Sequence, residues 1–187
     1  MDTRNLSGKV GVVTGAGSGI GRATALALAE RGANLAVCDI DEAGLAETCD
    51  RIKALGRDVF SQTVDVAQAD AMQAFAQGTR DALHRVDIVV NNAGIGVAGL
   101  FVDVPLEAWT KILGINISGV VHGCHAFLPG MIEAGVGGHI VNIASMAGYC
   151  QAPGMTAYGT TKFGVLGLSE SLRAELSLHD IGVTAVC

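Results

Sequence analysis

The turn between Thr14 and Gly21 constrains the fold of this chain more than any other segment. It reads Thr-Gly-Ala-Gly-Ser-Gly-Ile-Gly, follows a short apolar run and opens an Ala- and Leu-rich segment that closes at Gly32. Such a turn carries a buried strand directly into a helix, whose N-terminus offers free amides and a partial positive charge. The segment therefore predicts an α/β fold with an anion-binding turn after its first strand.

The spacing of these glycines departs from the usual dinucleotide fingerprint. Gly15, Gly19 and Gly21 form Gly-x-x-x-Gly-x-Gly, whereas Gly-x-Gly-x-x-Gly is not met from Gly15 or from Gly17. Glycines at these positions still let the backbone approach a pyrophosphate closely. A glycine-rich turn without any ligand is the alternative interpretation.

Strand-like apolar runs alternate with helix-like segments along the whole sequence. Such alternation is typical of a parallel sheet covered by helices on both faces. We see no linker or repeat, and we predict one α/β domain over residues 1–187. The predicted strands cover residues 10–14, 34–39, 58–64, 87–91, 139–144 and 183–187, and the predicted helices cover residues 20–31, 41–55, 69–83, 106–134 (with a break or kink at Pro129) and 157–178.

Composition and charge exclude several classes of partner. The chain has 187 residues, a net charge of −6 and no cluster of Lys and Arg, which argues against nucleic acid and anionic membranes. Its five cysteines form no Cys-x-x-Cys pair and indicate reduced, mostly buried thiols. The N-terminus has no signal-peptide pattern, and Gly, His and Pro interrupt the apolar stretches before membrane-spanning length. We therefore expect a cytoplasmic protein.

Asp39 stands at the end of the second predicted strand, where dinucleotide-binding folds place an acidic residue against the adenosine ribose. Its carboxylate would hydrogen-bond both ribose hydroxyls but would repel a 2′-phosphate, and neither Ser18 nor Ile40 supplies a counter-cation. The alternative is a surface Asp that caps the next helix, a role that Asp41 fits better. Asp39 therefore predicts NAD(H) as the cofactor, in preference to NADP(H).

Tyr158 and Lys162 lie one helical turn apart in the last predicted helix and so share a face of it. A tyrosine hydroxyl in water ionises near pH ~10, but an adjacent fixed positive charge favours its deprotonated form. The pair can therefore donate and accept a proton near neutral pH. By itself Tyr-x-x-x-Lys also fits a solvated helix face, but the glycine turn and Ser145, at the end of the fifth strand, favour a catalytic site.

Several motifs occur together in the order and spacing of a known family: Thr14-Gly15-x-x-x-Gly19-Ile20-Gly21, Asn91-Asn92-Ala93-Gly94, Asn116, Ser145 and Tyr158-x-x-x-Lys162. In these motifs the chain resembles the short-chain dehydrogenase/reductase family over essentially its whole length. The resemblance implies a doubly wound, Rossmann-type parallel sheet with strand order 3-2-1-4-5-6, and hydride transfer between nicotinamide and an alcohol or carbonyl group. It also implies homodimers or homotetramers that pack through residues 106–134 and 157–178.

The resemblance implies four catalytic residues. Tyr158 would be the acid/base, and Lys162 would favour its deprotonated form and hold the nicotinamide ribose. Ser145 would hydrogen-bond the substrate oxygen. Asn116 would hold a water that links Lys162 to solvent. Taken singly, Ser145 also fits a turn and Asn116 a helix cap.

The resemblance also implies a set of cofactor-binding residues. Asp65, with Val66 beside it, would contact the adenine amino group, although Asp65 alone also fits the end of a strand. Asn91 and Gly94 would line the adenosine side of the cleft. The whole set is Gly15, Ser18, Gly19, Ile20, Gly21, Asp39, Asp65, Val66, Asn91, Ala93, Gly94, Tyr158 and Lys162.

We predict no metal site. His122 and His125 flank Cys124 on a predicted helix, but no further ligands stand nearby in sequence. Histidines of the core or of a subunit interface explain the pattern better.

The chain stops at Cys187, at the end of the sixth predicted strand. The seventh strand and the substrate-covering loop that the resemblance implies are missing. We therefore expect a fragment of a longer protein, or an incomplete sequence. An isolated 187-residue product would expose a sheet edge, and we expect it to be poorly soluble or inactive.

The segments that flank the catalytic face, residues 95–104 and 146–155, are largely apolar and lack a basic residue. They favour an uncharged, apolar alcohol or ketone as substrate. The sequence is thus interpreted as an NAD(H)-dependent alcohol dehydrogenase or ketone reductase. A catalytically silent NAD-binding or scaffold protein, and a lyase or epimerase of the extended family, are the alternatives.

Overall fold

Six parallel strands form one sheet in the computed structural model, which describes residues 5–150 and 152–187. The strands are β1 (Val10–Thr14), β2 (Asn34–Asp39), β3 (Val59–Thr63), β4 (Ile88–Asn91), β5 (Gly138–Ile143) and β6 (Ile181–Val186). Their order across the sheet is β3-β2-β1-β4-β5-β6, and every neighbouring pair is parallel. The predicted doubly wound sheet and its strand order are confirmed.

Helices cover both faces of the sheet. Short 3-10 segments follow β5 (Met146–Gly148) and precede β6 (Ser177–His179). All predicted element ends lie within two residues of the observed ones. The two largest shifts are the start of β6, at Ile181 rather than Val183, and the end of α6, at Leu176 rather than Leu178. The helices are α1 (Gly19–Glu30), α2 (Glu42–Ala54), α3 (Ala69–Leu83), α4 (Leu106–Leu113), α5 (Gly119–Ala134) and α6 (Thr156–Leu176).

The central strands are apolar throughout because both of their faces are buried. Successive side chains of a strand point to opposite faces. Val12 accordingly packs with Phe75 and Ile140 on the side of α3, α5 and α6, whereas Val13 packs with Leu35 and Ile52 on the side of α1 and α2. The sheet is thus a middle layer between two hydrophobic cores.

The run from Leu106 to Ala134 is a continuous helix in which a π-helical stretch, Gly114–Ser118, joins α4 to α5. Pro129, where a break or kink was expected, lies inside α5 and does not break the helix. The run is long and apolar enough to cross a membrane by length and composition, which corrects the expectation that Gly, His and Pro interrupt it. Half of its most apolar window is buried inside the protein, however, as in a core helix.

Candidate functional site

A cleft of about 970 Å³ opens where the carboxyl ends of the strands meet. The strand order reverses between β1 and β4, and α/β sheets bind ligands at this kind of switch point. The cleft brings together thirteen of the predicted site residues, namely Gly15, Ser18, Gly19, Ile20, Gly21, Asp39, Asp65, Val66, Ala93, Gly94, Ser145, Tyr158 and Lys162.

The glycine turn and the segment after β4 are joined into one wall of the cleft. Thr14 Oγ1 accepts hydrogen bonds from the backbone N of Asn92 (3.0 Å) and of Ala93 (3.1 Å). Asn92 Nδ2 in turn donates to the carbonyl oxygens of Thr14 (2.9 Å) and Gly15 (3.1 Å). A Cβ on Gly21 would overlap the Gly15 carbonyl oxygen, so only glycine allows this close approach. A phosphate-bearing ligand fits such an open cradle of backbone amides.

The Asp39 carboxylate lies at the rim of this cradle, in a fixed orientation. Its Oδ2 accepts a hydrogen bond from the backbone N of Gly17 (2.7 Å), and its Oδ1 accepts one from the backbone N of Asp41 (2.9 Å). Asp41 occupies the N-cap position of α2, as predicted, although its side chain makes no capping hydrogen bond. Asp39 therefore does not cap α2, and its carboxylate presents a negative charge to the cleft.

Asp65 and Val66 form the wall on the side of β3. Asp65 Oδ1 accepts from the backbone N of Ala67 (2.9 Å), which closes a tight turn, and its side chain stays exposed. Nδ1 of His122, on α5, lies 2.8 Å from the Val66 carbonyl oxygen and donates to it. His122 thus anchors this wall, a role that no sequence motif indicated.

Tyr158 and Lys162 lie on the cleft-facing side of α6. The Lys162 ammonium is 5.6 Å from the centroid of the Tyr158 ring, so the two side chains are neighbours, as predicted from their spacing. Lys162 is only 5% exposed, and its Nζ donates to the carbonyl oxygen of Ile143 at 2.7 Å. Burial lowers the pKa of Lys162 from its ordinary value of 10.5. A partly desolvated cation therefore stands beside the phenol.

Ser145 follows β5 and is the N-cap residue of the 3-10 segment Met146–Gly148. Its Oγ accepts a hydrogen bond from the backbone N of Ala147 at 3.1 Å. Because Oγ acts as the acceptor in that bond, the hydroxyl proton of Ser145 can be donated into the cleft. Ser145, Tyr158 and Lys162 all line the cleft.

Asn116 lies behind the cleft rather than in it. It is fully buried in the π-helical stretch, where Oδ1 accepts from the backbone N of Ile95 (2.9 Å). Nδ2 donates to the Ile95 carbonyl oxygen (2.9 Å) and to Thr161 Oγ1 (3.1 Å), which uses both amide protons. The side chain joins the segment after β4 to α6, and its water-holding role stays a prediction.

The structure does not bring the predicted Asn91 into the cleft. Its side chain is buried, and its Nδ2 donates to Asn142 Oδ1 at 2.9 Å and lies 3.4 Å from Cys124 Sγ. Since side chains alternate along a strand, the last residue of β4 points into the core and the next residue points elsewhere. Asn92, which the sequence placed in the motif but not in the site, lines the cleft instead.

Sequence reasoning also missed residues that support the site without lining it. Arg22 and Thr48 contact the outer side of the glycine turn, and no motif marks them. Among residues 5–150 and 152–187, no group of three His, Cys, Asp or Glu side chains could hold a metal ion.

The chain is similar to known proteins over nearly all its length. A family model described as short chain dehydrogenase matches residues 9–187. A protein named probable oxidoreductase EphD, from Mycobacterium tuberculosis strain H37Rv, is 49% identical over 176 residues, which are 94% of this chain and 30% of EphD.

Two solved structures show the same architecture. A short chain dehydrogenase/reductase from Burkholderia phymatum in complex with NAD has a TM-score of 0.95 at 37% identity, over 98% of this chain and 66% of that chain. Carveol dehydrogenase from Mycobacterium avium in complex with NAD has a TM-score of 0.95 at 33% identity, over 98% of this chain and 71% of that chain. The chain therefore spans 30% of the length of EphD and 66% or 71% of these two structures.

Proposed function

The chain belongs to the short chain dehydrogenase family, and from the geometry of its cleft we propose that it transfers a hydride between NAD(H) and a secondary alcohol or ketone. The observation that carries the proposal is the meeting of two sets of residues in one cleft. Tyr158, Lys162 and Ser145 form one set, the glycine turn with Asp39 forms the other, and both sets line the cleft.

The first set supplies acid/base chemistry. In the oxidative direction Tyr158 Oη takes the proton of the substrate hydroxyl, while Ser145 donates a hydrogen bond to the same oxygen. The Lys162 ammonium stabilises the negative charge on the tyrosine oxygen, and its bond to Ile143 fixes it there. In the reductive direction Tyr158 returns the proton to the forming hydroxyl. NAD⁺, when bound, supplies the hydride acceptor.

The second set would hold the cofactor. The amides of the glycine turn and the N-terminus of α1 would bind the pyrophosphate. Asp39 would accept hydrogen bonds from the adenosine ribose hydroxyls, and its charge would repel a 2′-phosphate. Among the described residues that line the cleft, Lys162 carries the only positive charge, and it lies at the Tyr158 end. These charges favour NAD(H) over NADP(H).

The walls near Tyr158 favour an apolar, uncharged substrate. Ile95, Ile143, Met146 and Met155 line the cleft there. The segments on either side of its mouth meet where the backbone N of Gly99 donates to the Gly154 carbonyl oxygen at 2.8 Å. The similarity to a carveol dehydrogenase supports an alcohol as the substrate.

Because an isolated 187-residue product is expected to be inactive, the assay uses a protein that contains this chain and has the length of its solved relatives. The test is a panel of apolar secondary alcohols offered to that protein with NAD⁺ or NADP⁺, followed by absorbance at the NADH band. We expect NADH to form with at least one alcohol and NAD⁺ to be used in preference to NADP⁺. A lyase or epimerase would convert substrate with no net change in NADH. Binding of NAD⁺ without any turnover of alcohols or ketones would instead indicate a silent binding protein.

We also propose that copies of the chain associate through the helical run from α4 to α5 and through α6. Leu106 and Val121 on that run, and Phe163 on α6, are exposed apolar side chains. Covering them would be favourable. Light scattering coupled to size exclusion should show a dimer or tetramer, and a monomer at micromolar concentration would contradict this proposal.

A further inference from the structure

The outer side of the glycine turn is held by two side chains outside all the motifs that identify the family. Arg22 lies near the start of α1, and Thr48 lies in the middle of α2, where it is fully buried. A Cβ on Gly44 would lie 2.5 Å from the Gly17 carbonyl oxygen, so α2 packs directly against the turn at a glycine. The contacts of Arg22 and Thr48 therefore decide how the turn presents its peptide groups.

Thr48 acts on the peptide unit between Ala16 and Gly17. Thr48 Oγ1 lies 2.8 Å from the Ala16 carbonyl oxygen and 3.0 Å from the Gly44 carbonyl oxygen, and we assign its single proton to the nearer acceptor, Ala16. The N–H of Gly17, at the other end of the same planar unit, donates to Asp39 Oδ2 at 2.7 Å. Because the carbonyl and the N–H of one peptide unit point in opposite directions in a rigid plane, fixing the carbonyl also fixes the N–H. Thr48 thereby sets the direction of the bond that orients Asp39.

Arg22 acts on the next peptide unit, between Gly17 and Ser18. Its Nη2 donates to the Gly17 carbonyl oxygen and, at 3.1 Å, to the carbonyl oxygen of Gly44. The N–H of Ser18 belongs to the same plane as the Gly17 carbonyl and so points away from Arg22. Ser18 itself lines the cleft.

Most of the N–H donors of the Arg22 guanidinium have an acceptor in the turn or in α2. Its Nε donates to Thr48 Oγ1 at 3.0 Å, and its Nη1 pairs with Glu47 Oε2 at 2.8 Å. Three of its contacts thus go to α2 and one to the turn. The planar guanidinium holds these acceptors in fixed directions with five N–H donors, whereas an ammonium has only three donors on a flexible stem.

We propose that Thr48 and Arg22 are positioning residues for the adenosine end of the cofactor. Thr48 aims the Asp39 carboxylate through the Ala16–Gly17 peptide, and Arg22 turns the Ser18 amide into the cleft through the Gly17–Ser18 peptide. The inference rests on the proposed function, because it needs a dinucleotide in the cleft. It goes beyond that function by locating part of the binding energy in two residues that never touch the ligand.

The test is isothermal titration of the protein with NAD⁺, ADP-ribose and nicotinamide mononucleotide. The variants are Thr48→Val, which keeps the side-chain shape and removes the hydroxyl, and Arg22→Met. We expect each to weaken binding of NAD⁺ and ADP-ribose by about tenfold and to leave binding of nicotinamide mononucleotide unchanged. Arg22→Lys should recover only part of the loss, since a lysine cannot make the fork.

Two matched controls separate positioning from general damage. Thr79→Val removes an equally buried hydroxyl that bonds only within α3, and Arg51→Met removes the other arginine paired with Glu47. Both should bind all three ligands as wild type does. The proposal is overturned if Thr48→Val and Arg22→Met bind ADP-ribose like wild type, or if they lose the mononucleotide equally. If wild type binds none of the three ligands, the proposed function itself fails and this inference fails with it.

Discussion

Lys162 is the residue on which the proposed chemistry depends most. It is nearly buried, and its one described hydrogen bond goes to a neutral carbonyl rather than to a carboxylate. Its charge is therefore not cancelled locally, and its field acts on the neighbouring Tyr158 ring. A surface lysine at the same spacing would be screened by water and would have little effect.

Replacing Lys162 by Met should reduce alcohol oxidation by at least about 10²-fold at neutral pH, because the deprotonated tyrosine loses its stabilising charge. Lys111→Met, on the exposed side of α4, is the control and should behave as wild type. NADH formation by all three proteins measures the effect, and a Lys162→Met variant that oxidises the alcohol at the wild-type rate would rule out this role.

The pKa of Lys162 also has a consequence for stability. Burial lowers this pKa, so the unfolded chain binds the proton more tightly than the folded one. Burying the protonated amine of Lys162 therefore lowers the free energy of unfolding. This cost disappears as pH rises toward 10.5, the ordinary pKa of the group. Lys162 is retained at some cost in stability, which is typical of a residue kept for chemistry.

Asp39→Asn should narrow the preference for NAD⁺ over NADP⁺ by about tenfold or more, because it removes the like charge that a 2′-phosphate would meet. Asp41→Asn, which changes the next carboxylate along the chain, should leave the preference nearly unchanged. The ratio of the two dissociation constants is the measurement. If wild type binds NADP⁺ more tightly than NAD⁺, the proposed role of Asp39 is wrong.

The sequence predicted the neighbours of a side chain well where spacing along one helix determines them. It predicted them poorly where they depend on the direction in which the side chain points. The spacing of Tyr158 and Lys162 was enough to place them together. Asn91 and Asn116 also belong to the motifs that carry the family resemblance, yet both side chains are buried and neither lines the cleft. The direction of Asn91 depends on the register of β4, and the partners of Asn116 depend on a π-helical stretch that no sequence pattern indicated.

At the level of elements, α6 contains three glycines, two of which, Gly164 and Gly167, have very different surroundings. A Cβ on Gly164 would lie 2.5 Å from Ile117 Cδ1, so this glycine lets the π-helical stretch approach α6. A Cβ on Gly167 would meet nothing within 4 Å beyond its own stretch of helix, and this glycine lies on the exposed side. Within one copy of the chain, only Gly164 of these two glycines has a packing reason to be present.

Gly167→Ala should therefore stabilise the protein by about 1 kcal/mol, the usual difference between the two residues inside a helix. A gain of that size corresponds to a rise in Tm of about 2–4 °C for a domain of this length. Gly164→Ala is the matched comparison and should lower Tm, because Ile117 must move. Thermal melts followed by circular dichroism measure both, and a Gly167→Ala melt at or below that of wild type would contradict the account.

The bounds of strands and helices were easier to predict from the sequence than the irregular positions inside a helix. Strands such as Val10–Thr14 and Asn34–Asp39 were predicted to the residue because continuous apolar runs end at glycine or at an acidic residue. The π-helical stretch was missed because it depends on how Asn116 and Gly119 pack against neighbouring segments. Pro129, where a break or kink was expected, does not break its helix.

For the molecule as a whole, a buried carboxylate ties the first strand to the centre of the sheet. Asp87 precedes β4 and accepts hydrogen bonds from Lys9 Nζ (2.9 Å), the backbone N of Val10 (3.0 Å) and Arg85. Burial alone would raise the pKa of Asp87, but the hydrogen bonds from Arg85, Lys9 and Val10 outweigh it and lower the pKa below its ordinary value of 3.8. The stabilisation is thus complete above pH 3.8 and is lost as pH falls through the lower folded pKa.

Asp87→Asn should cost about 1–3 kcal/mol of unfolding free energy at neutral pH, since it removes the charge that three donors share. The difference from wild type should shrink as pH falls below the ordinary carboxyl range, where wild type becomes protonated as well. Asp81→Asn, an exposed change on α3, is the control. Urea unfolding across acid pH measures this, and a difference that is independent of pH would show that the charge of Asp87 is unimportant.

The most direct measurement of the central claim is a comparison of wild type with Tyr158→Phe, using NADH formation with the best alcohol of the panel and NAD⁺ binding by titration. The phenylalanine keeps the ring beside Lys162 and removes only the hydroxyl. We predict that the rate falls by about 10²–10⁴-fold while the dissociation constant for NAD⁺ changes by less than about threefold. A Tyr158→Phe variant that turns over at a rate close to that of wild type would show that the proton is transferred by another group.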